Sequence, residues 1–324
     1  METALPTEAD LEDTGIDTFR ALLARLSHQS VVRHFDAYAD VAWDSAEFKI
    51  EPTDPRWELR SDDSLGATAW YQTLPQENRA RLGLELIVSM MKTGLQFESV
   101  LKRGLLEFAA ELPNRSPEFR YTYHEVIEEA QHSLMFQEFI NRSGLDPRGL
   151  SRLNKLGSRF IIGLGRKFPP LFFFFVLGGE DPIDHVQRQE LRSGAQLHPL
   201  IERIMRIHVT EEARHLSFAR HYLKTQMRSM SRRQRLQLGI GAPLILSAMV
   251  QMMLKPSADL VRRYQIPKEV LTEAYSQNQQ FRDEALASLR KVRRLCSELG
   301  ILGPAYSRLW RALGLWEDQP VQRV

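Results

Sequence analysis

One cysteine, Cys296, stands in a chain of 324 residues. A lone thiol excludes an intramolecular disulfide and any site built on several thiolates, such as a zinc finger or an all-cysteine iron–sulfur cluster. Any metal must therefore be held by histidine and carboxylate. Charge of one sign is also scarce: 43 Lys and Arg face 41 Asp and Glu, and the net charge of +2 supplies no global field for nucleic acid or an anionic membrane. The Arg-rich stretches Arg228 to Arg235 and Arg290 to Arg294 lack interleaved aromatics, so they read as solvated helix ends and no nucleic-acid partner is expected. Long hydrophobic runs are missing too. Residues 168–179 are too few to span a bilayer and 239–254 is interrupted by Pro243 and Gln251, so both read as buried helices and no membrane span is expected. The acidic start, Met1 to Gly15, lacks a basic segment followed by an apolar one, which argues against an export signal and for a cytoplasmic location.

What is present is helical. Proline and glycine fall between long segments whose apolar residues recur at three and four, and no hairpin signal or run of alternating strands appears. The spacing predicts an all-α fold: a long helix from Pro75 to Leu112, a second started by Ser116 and Pro117 and stopped at Gly144, and further helices at about 150–164, 170–193, 197–229 and 231–255. With no long linker, the expectation is one domain, a bundle core at about 75–255 with flanking helices at 16–40 and 256–315.

Two of these helices carry nearly the same word, Glu128-Glu129-Ala130-Gln131-His132 and Glu211-Glu212-Ala213-Arg214-His215. Glu98 precedes the first and Glu180 the second at almost the same interval, which suggests a duplicated two-helix unit. In each word the second Glu and the His sit about 60° apart on a helix and roughly one turn along, so both can point at one ion. Two Glu-x-x-His helices plus two helices giving one Glu each supply four carboxylates and two imidazoles, the arrangement in which a four-helix bundle holds two iron or manganese ions. His208 shares a face with Glu212 and His215 and offers a third imidazole. Glu128 and Glu211 remain alternative ligands, because Glu at i and His at i+4 also align. Glu85 is an alternative to Glu98, and Glu125 reads as an acid beside the ligand face. His28, His34, His124, His185, His198 and His221 read as surface or capping residues. The Phe172 to Phe175 run and Met90, Met91, Met135 and Met205 read as core packing, with an apolar channel as the alternative.

The string from His208 to His215, with Glu98, Glu129-x-x-His132 and Glu180 upstream, resembles the para-aminobenzoate N-oxygenase family of diiron proteins over about residues 82–223. The resemblance implies a ferritin-like bundle, usually dimeric, with Glu98, Glu129, His132, Glu180, His208, Glu212 and His215 as ligands of two iron ions, for which manganese is a substitute. It also implies that dioxygen is used to oxidise an amine substrate, an arylamine, toward hydroxylamine, nitroso and nitro products. No Gly-rich nucleotide fingerprint follows a strand, so a separate reductase or ferredoxin is expected as electron donor. An iron-storing ferritin, a hydroxylase acting at carbon, and a radical-generating subunit using Tyr121 or Tyr123 are the competing readings. Arg262, Arg263 and Arg290 are candidates to receive a substrate carboxylate.

Overall fold

The computed structural model describes residues 15–194, 196–253 and 255–316. The acidic stretch that argues against an export signal lies, but for its last residue, outside the described residues. Among them there is no strand. The helices are α1 (Gly15–Val32), α2 (Ala69–Thr73), α3 (Gln76–Ala110), α4 (Pro117–Ser143), α5 (Arg152–Lys167), α6 (Pro169–Arg192), α7 (Pro199–Ser229) and α8 (Arg232–Met253). Five short ones follow: α9 (Ala258–Arg263), α10 (Lys268–Leu271), α11 (Gln279–Ser288), α12 (Arg290–Glu298) and α13 (Pro304–Ala312). No helix among the described residues is long and apolar enough to cross a membrane.

The boundaries follow local chemistry. Pro117 starts α4, and Gly144 ends it at φ 67°, a conformation glycine adopts without strain. Ser116 occupies the N-cap, but its hydroxyl turns to Glu118 instead of a backbone N–H. The helix expected to reach residue 40 stops at Val32. Asp36 explains the difference: its Oδ1 accepts the N–H groups of Tyr38 and Ala39, at 2.9 Å each, and so stabilises a turn.

Helices α3, α4, α6 and α7 form a four-helix bundle, with α3 against α4 and α6 against α7 as its two main pairs. This is the pairing the repeated words imply. Apolar side chains fill the bundle in two clusters. One contains Leu84, Val88, Met135, Phe136, Ile204 and Ile207; the other contains Leu101, Tyr121, Phe172 to Phe174, Leu216 and Phe218. Along α4 and α7 the repeated words fall between these clusters, so their polar side chains form a layer capped by hydrocarbon on both sides. The Phe run is core: Phe172, Phe173 and Phe174 are fully buried.

Helix α6 is enclosed by α3, α5, α7 and α8, and tight packing on this side depends on missing side chains. A Cβ on Gly165 of α5 would lie 2.0 Å from the Gly104 carbonyl oxygen, a backbone atom that cannot rotate away. Gly165→Ala is therefore expected to destabilise the protein by about 1–3 kcal/mol by forcing α3 and α5 apart. Gly157→Ala, on the open side of the same helix with nothing within 4 Å, should be neutral or stabilising by up to ~1 kcal/mol. Thermal unfolding of the pair checks both signs.

Candidate metal centre

The bundle brings all seven residues of the sequence motif together. Ligand atoms of Glu98, His132 and His208 lie within 4.8 Å of one another, as do those of Glu129, Glu180, Glu212 and His215, and every one is buried. Helix α3 supplies Glu98, α4 supplies Glu129 and His132, α6 supplies Glu180, and α7 supplies His208, Glu212 and His215.

Two carboxylates join the groups. Glu129 places Oε2 3.6 Å from His132 Nδ1 and Oε1 3.0 Å from His215 Nδ1. Glu212 Oε1 is 3.5 Å from His132 Nδ1, 3.6 Å from His208 Nε2 and 3.4 Å from His215 Nδ1. Glu98 lies 3.8 Å from His132 and 3.7 Å from His208. These two groups would suit two adjacent cations, the first richer in imidazole, and Glu129 and Glu212 lie within 4 Å of rings in both groups.

A bound metal fits the chemistry of these atoms. Both oxygens of Glu129 and Glu180, Oε2 of Glu98 and of Glu212, and Nδ1 of His132 and of His215 are buried without a hydrogen-bond partner. So many unsatisfied donor atoms in one place is costly unless a cation receives their lone pairs. Electrostatics points the same way. Burial, then the charge of Glu129, pushes the Glu98 carboxyl well above the usual carboxylate range, and burial with Glu212 does the same to Glu180. Divalent ions between such groups remove that repulsion. A donor set of oxygen and nitrogen without sulfur suits iron or manganese.

Glu128 and Glu211, left as alternative ligands by spacing alone, fall outside both groups. They hold histidines crosswise: His132 Nε2 is 2.9 Å from Glu211 Oε2, and His215 Nε2 is 2.8 Å from Glu128 Oε2. Each ring can donate Nε2–H outward and turn Nδ1 inward, a familiar way of fixing tautomer and orientation at a metal. Burial opposes ionisation of Glu128, but His215 and Arg214 hold its carboxyl down at about 2. Burial also works against the charged forms of His132 and His215, yet the surrounding carboxylates raise both imidazoles well above their ordinary value. His208 differs. Its Nδ1 lies 3.0 Å from the side-chain amide oxygen, Oε1, of Gln187, leaving Nε2 to face the centre, and burial lowers its pKa to about 4.

Other expectations need correcting. Glu85 is away from the centre, bonded to Tyr264 Oη at 2.9 Å and paired with Arg263 at 2.5 Å. His198 takes the capping role, accepting the Leu200 N–H at the start of α7, and is buried while doing so, stacked on Trp57 at 4.1 Å between ring centres. Met90 is exposed and outside the core, and Tyr123 is exposed, whereas Tyr121 is fully buried. Glu125 is fully buried one turn before Glu129 with both oxygens unpartnered, and burial favours its neutral form. Arg262 and Arg263 are engaged by Asp259, and Arg290 is exposed at the start of α12. Gln187 escaped the sequence reading, although it lies two turns beyond Glu180 on the same helix face. The N-terminal segment escaped it as well: the Phe35 N–H donates to Glu211 Oε1 at 3.1 Å, so residues after α1 close over the centre.

A ferritin-like helical bundle enclosing a buried histidine and carboxylate cluster defines the class of this protein. The family profile described as P-aminobenzoate N-oxygenase AurF matches residues 17–300, and the chain belongs to that family. Uncharacterized proteins of Mycobacterium bovis and Mycobacterium tuberculosis are each 39% identical to it over 290 residues, 90% of this chain and 85% of theirs. No solved structure matches it.

Proposed function

We propose that the protein is a non-haem diiron oxygenase that uses dioxygen to oxidise an amine, an arylamine, toward hydroxylamine, nitroso and nitro products. The observation that carries this reading is the seven-residue cluster, six of whose members turn buried, unpartnered donor atoms toward it. Two iron ions bound there would supply the reduction of dioxygen, chemistry that no side chain performs. Manganese is an acceptable substitute for loading. The electrons come from a separate reductase or ferredoxin, and the working unit is a homodimer in the cytoplasm.

The chain's own residues do the rest. Glu98, Glu129, Glu180 and Glu212 supply four negative charges against two divalent cations, and His132, His208 and His215 supply neutral nitrogen donors. Glu128, Glu211 and Gln187 fix the three rings. Phe136 packs beside two of them, 5.6 Å from His208 and 6.4 Å from His132 between ring centres, and forms part of a dry wall that keeps water from the reacting atoms. This wall suits an aromatic substrate. Of the arginines named as candidates for a substrate carboxylate, Arg262 and Arg263 already pair with Asp259, which favours a neutral amine.

The test is a turnover screen. Protein loaded with Fe(II) without air, then reduced and exposed to dioxygen, is offered para-aminobenzoate, neutral anilines, aliphatic amines and fatty acids, with product mass measured. Oxygen gained on an aryl nitrogen is the expected result, neutral anilines being accepted. Oxygenation only at carbon would overturn N-oxygenation while leaving the diiron reading intact, and a chain that binds no iron would overturn both.

A further inference from the structure

The two repeated words differ at their fourth position, Gln131 in one and Arg214 in the other. Their environments differ accordingly. Gln131 faces the N-terminal segment: its Oε1 accepts the Ala37 N–H at 2.9 Å and its Nε2 donates to Asp36 at 3.2 Å. Arg214 is buried, and its Nη2 lies 2.8 Å from Glu128 Oε1 and 3.5 Å from Glu211 Oε1. Those two carboxylates hold histidines of different groups, Glu211 the ring of His132 and Glu128 the ring of His215. An unbroken chain of contacts, His132 to Glu211 to Arg214 to Glu128 to His215, thus joins the two cation positions through one guanidinium.

We propose that Arg214 is a positioning residue shared by both metal ions, fixing both outer carboxylates at once and supplying the buried positive charge that sets the reduction potential of the pair. This rests on the diiron reading. Four ligand carboxylates with Glu128 and Glu211 carry six negative charges, and two divalent ions supply four positive ones. Arg214 brings a fifth positive charge into direct contact with that set. Lys102 approaches from α3, and its charge reaches Glu98, but its ammonium bonds the Glu129 carbonyl at 3.0 Å and Ser133 and touches neither outer carboxylate. Without Arg214 the two outer carboxylates keep only their histidine contacts and, for Glu211, the Phe35 N–H. Both contacts run through Nη2, which the rigid plane of the guanidinium places between the two carboxylates, whereas the ammonium of lysine sits on a flexible stem. One cation also suffices for both halves of the repeat, which is consistent with the glutamine at the matching position of the other word.

The experiment is an anaerobic Fe(II) titration that resolves both binding steps, followed by measurement of the midpoint potential of the loaded centre, for wild type, Arg214→Gln and Arg214→Lys. Wild type is expected to take up two Fe(II). Failure there would sink the diiron reading itself, separately from any role of Arg214. In Arg214→Gln both steps should weaken, each about 10–100-fold as for other outer partners of ligands. The potential should also fall, because removing a positive charge favours the trivalent ions. Arg214→Lys keeps the charge, so its potential should stay near that of wild type while both affinities still drop. Weakening of one step alone, in either variant, or an unchanged potential in Arg214→Gln, would overturn the proposal. If Arg214→Gln does not fold, the lysine variant decides: both steps weakened supports the shared role, and one or none refutes it.

Discussion

Glu212→Ala is expected to lose both irons and all measurable turnover while the helices stay folded. Glu212 Oε1 approaches ring nitrogens of His132, His208 and His215 at 3.4–3.6 Å, so this one carboxylate borders both groups. Of the seven residues, only Glu212 lies within 4 Å of all three rings. Its loss removes a negative charge and a bridging donor from both cation positions together. Removing an outer partner typically weakens a metal by about 10–100-fold, and a shared inner carboxylate should cost more than that at each position. The fold should survive, because the apolar clusters on either side of the polar layer do not involve Glu212. Iron per chain by elemental analysis and helicity by circular dichroism read the two effects separately. Two irons retained at wild-type affinity would show that Glu212 is not a ligand.

The seven clustered residues were legible in the sequence because a helix turns one-dimensional spacing into a shared face. Glu129 with His132, and Glu212 with His215, needed no tertiary information beyond the helix itself, and the repeated five-residue word around them set these two Glu-x-x-His pairs apart from chance. The first Glu of each word was not assignable in the same way. Glu128 lies one turn from His132 on its own helix, yet it serves His215 on the other, and only the packing of α4 on α7 decides that. Gln187 and the Phe35 N–H carry no motif, since a single amide or backbone donor becomes meaningful only when a ring arrives beside it. Charge was the least legible property. Asp259, three and four residues before Arg262 and Arg263 on α9, is a partner that helical spacing alone offers, but the pairing of Arg263 with Glu85 of α3 depends on where α9 sits in the fold. A capping role for His198 was foreseen, but its burial was not, because its partner Trp57 lies far away in the chain.

His208→Ala should give a different outcome from Glu212→Ala: a folded protein that still loads iron, with turnover reduced by at least about 100-fold, beyond the range usual for an outer partner. His208 belongs to the smaller group, where it stands with Glu98 and His132, and it meets the larger one through the Glu212 carboxylate 3.6 Å from Nε2 and through weaker charge interactions with Glu129 and His215. Its loss leaves the four-residue group complete and strips one nitrogen from the other, so the two binding steps should separate, one near wild type and one weakened. Gln187→Leu provides the graded control. It removes the side-chain amide oxygen 3.0 Å from His208 Nδ1 but leaves the ring in place, so the same binding step should weaken, only by less, and turnover should fall by about 10–100-fold. Resolved Fe(II) titrations beside single-turnover oxygen reactions distinguish the cases. Equal weakening of both steps in His208→Ala would mean that the two cation positions do not divide the ligands as the geometry indicates, and wild-type turnover in that variant would remove His208 from the ligand set altogether.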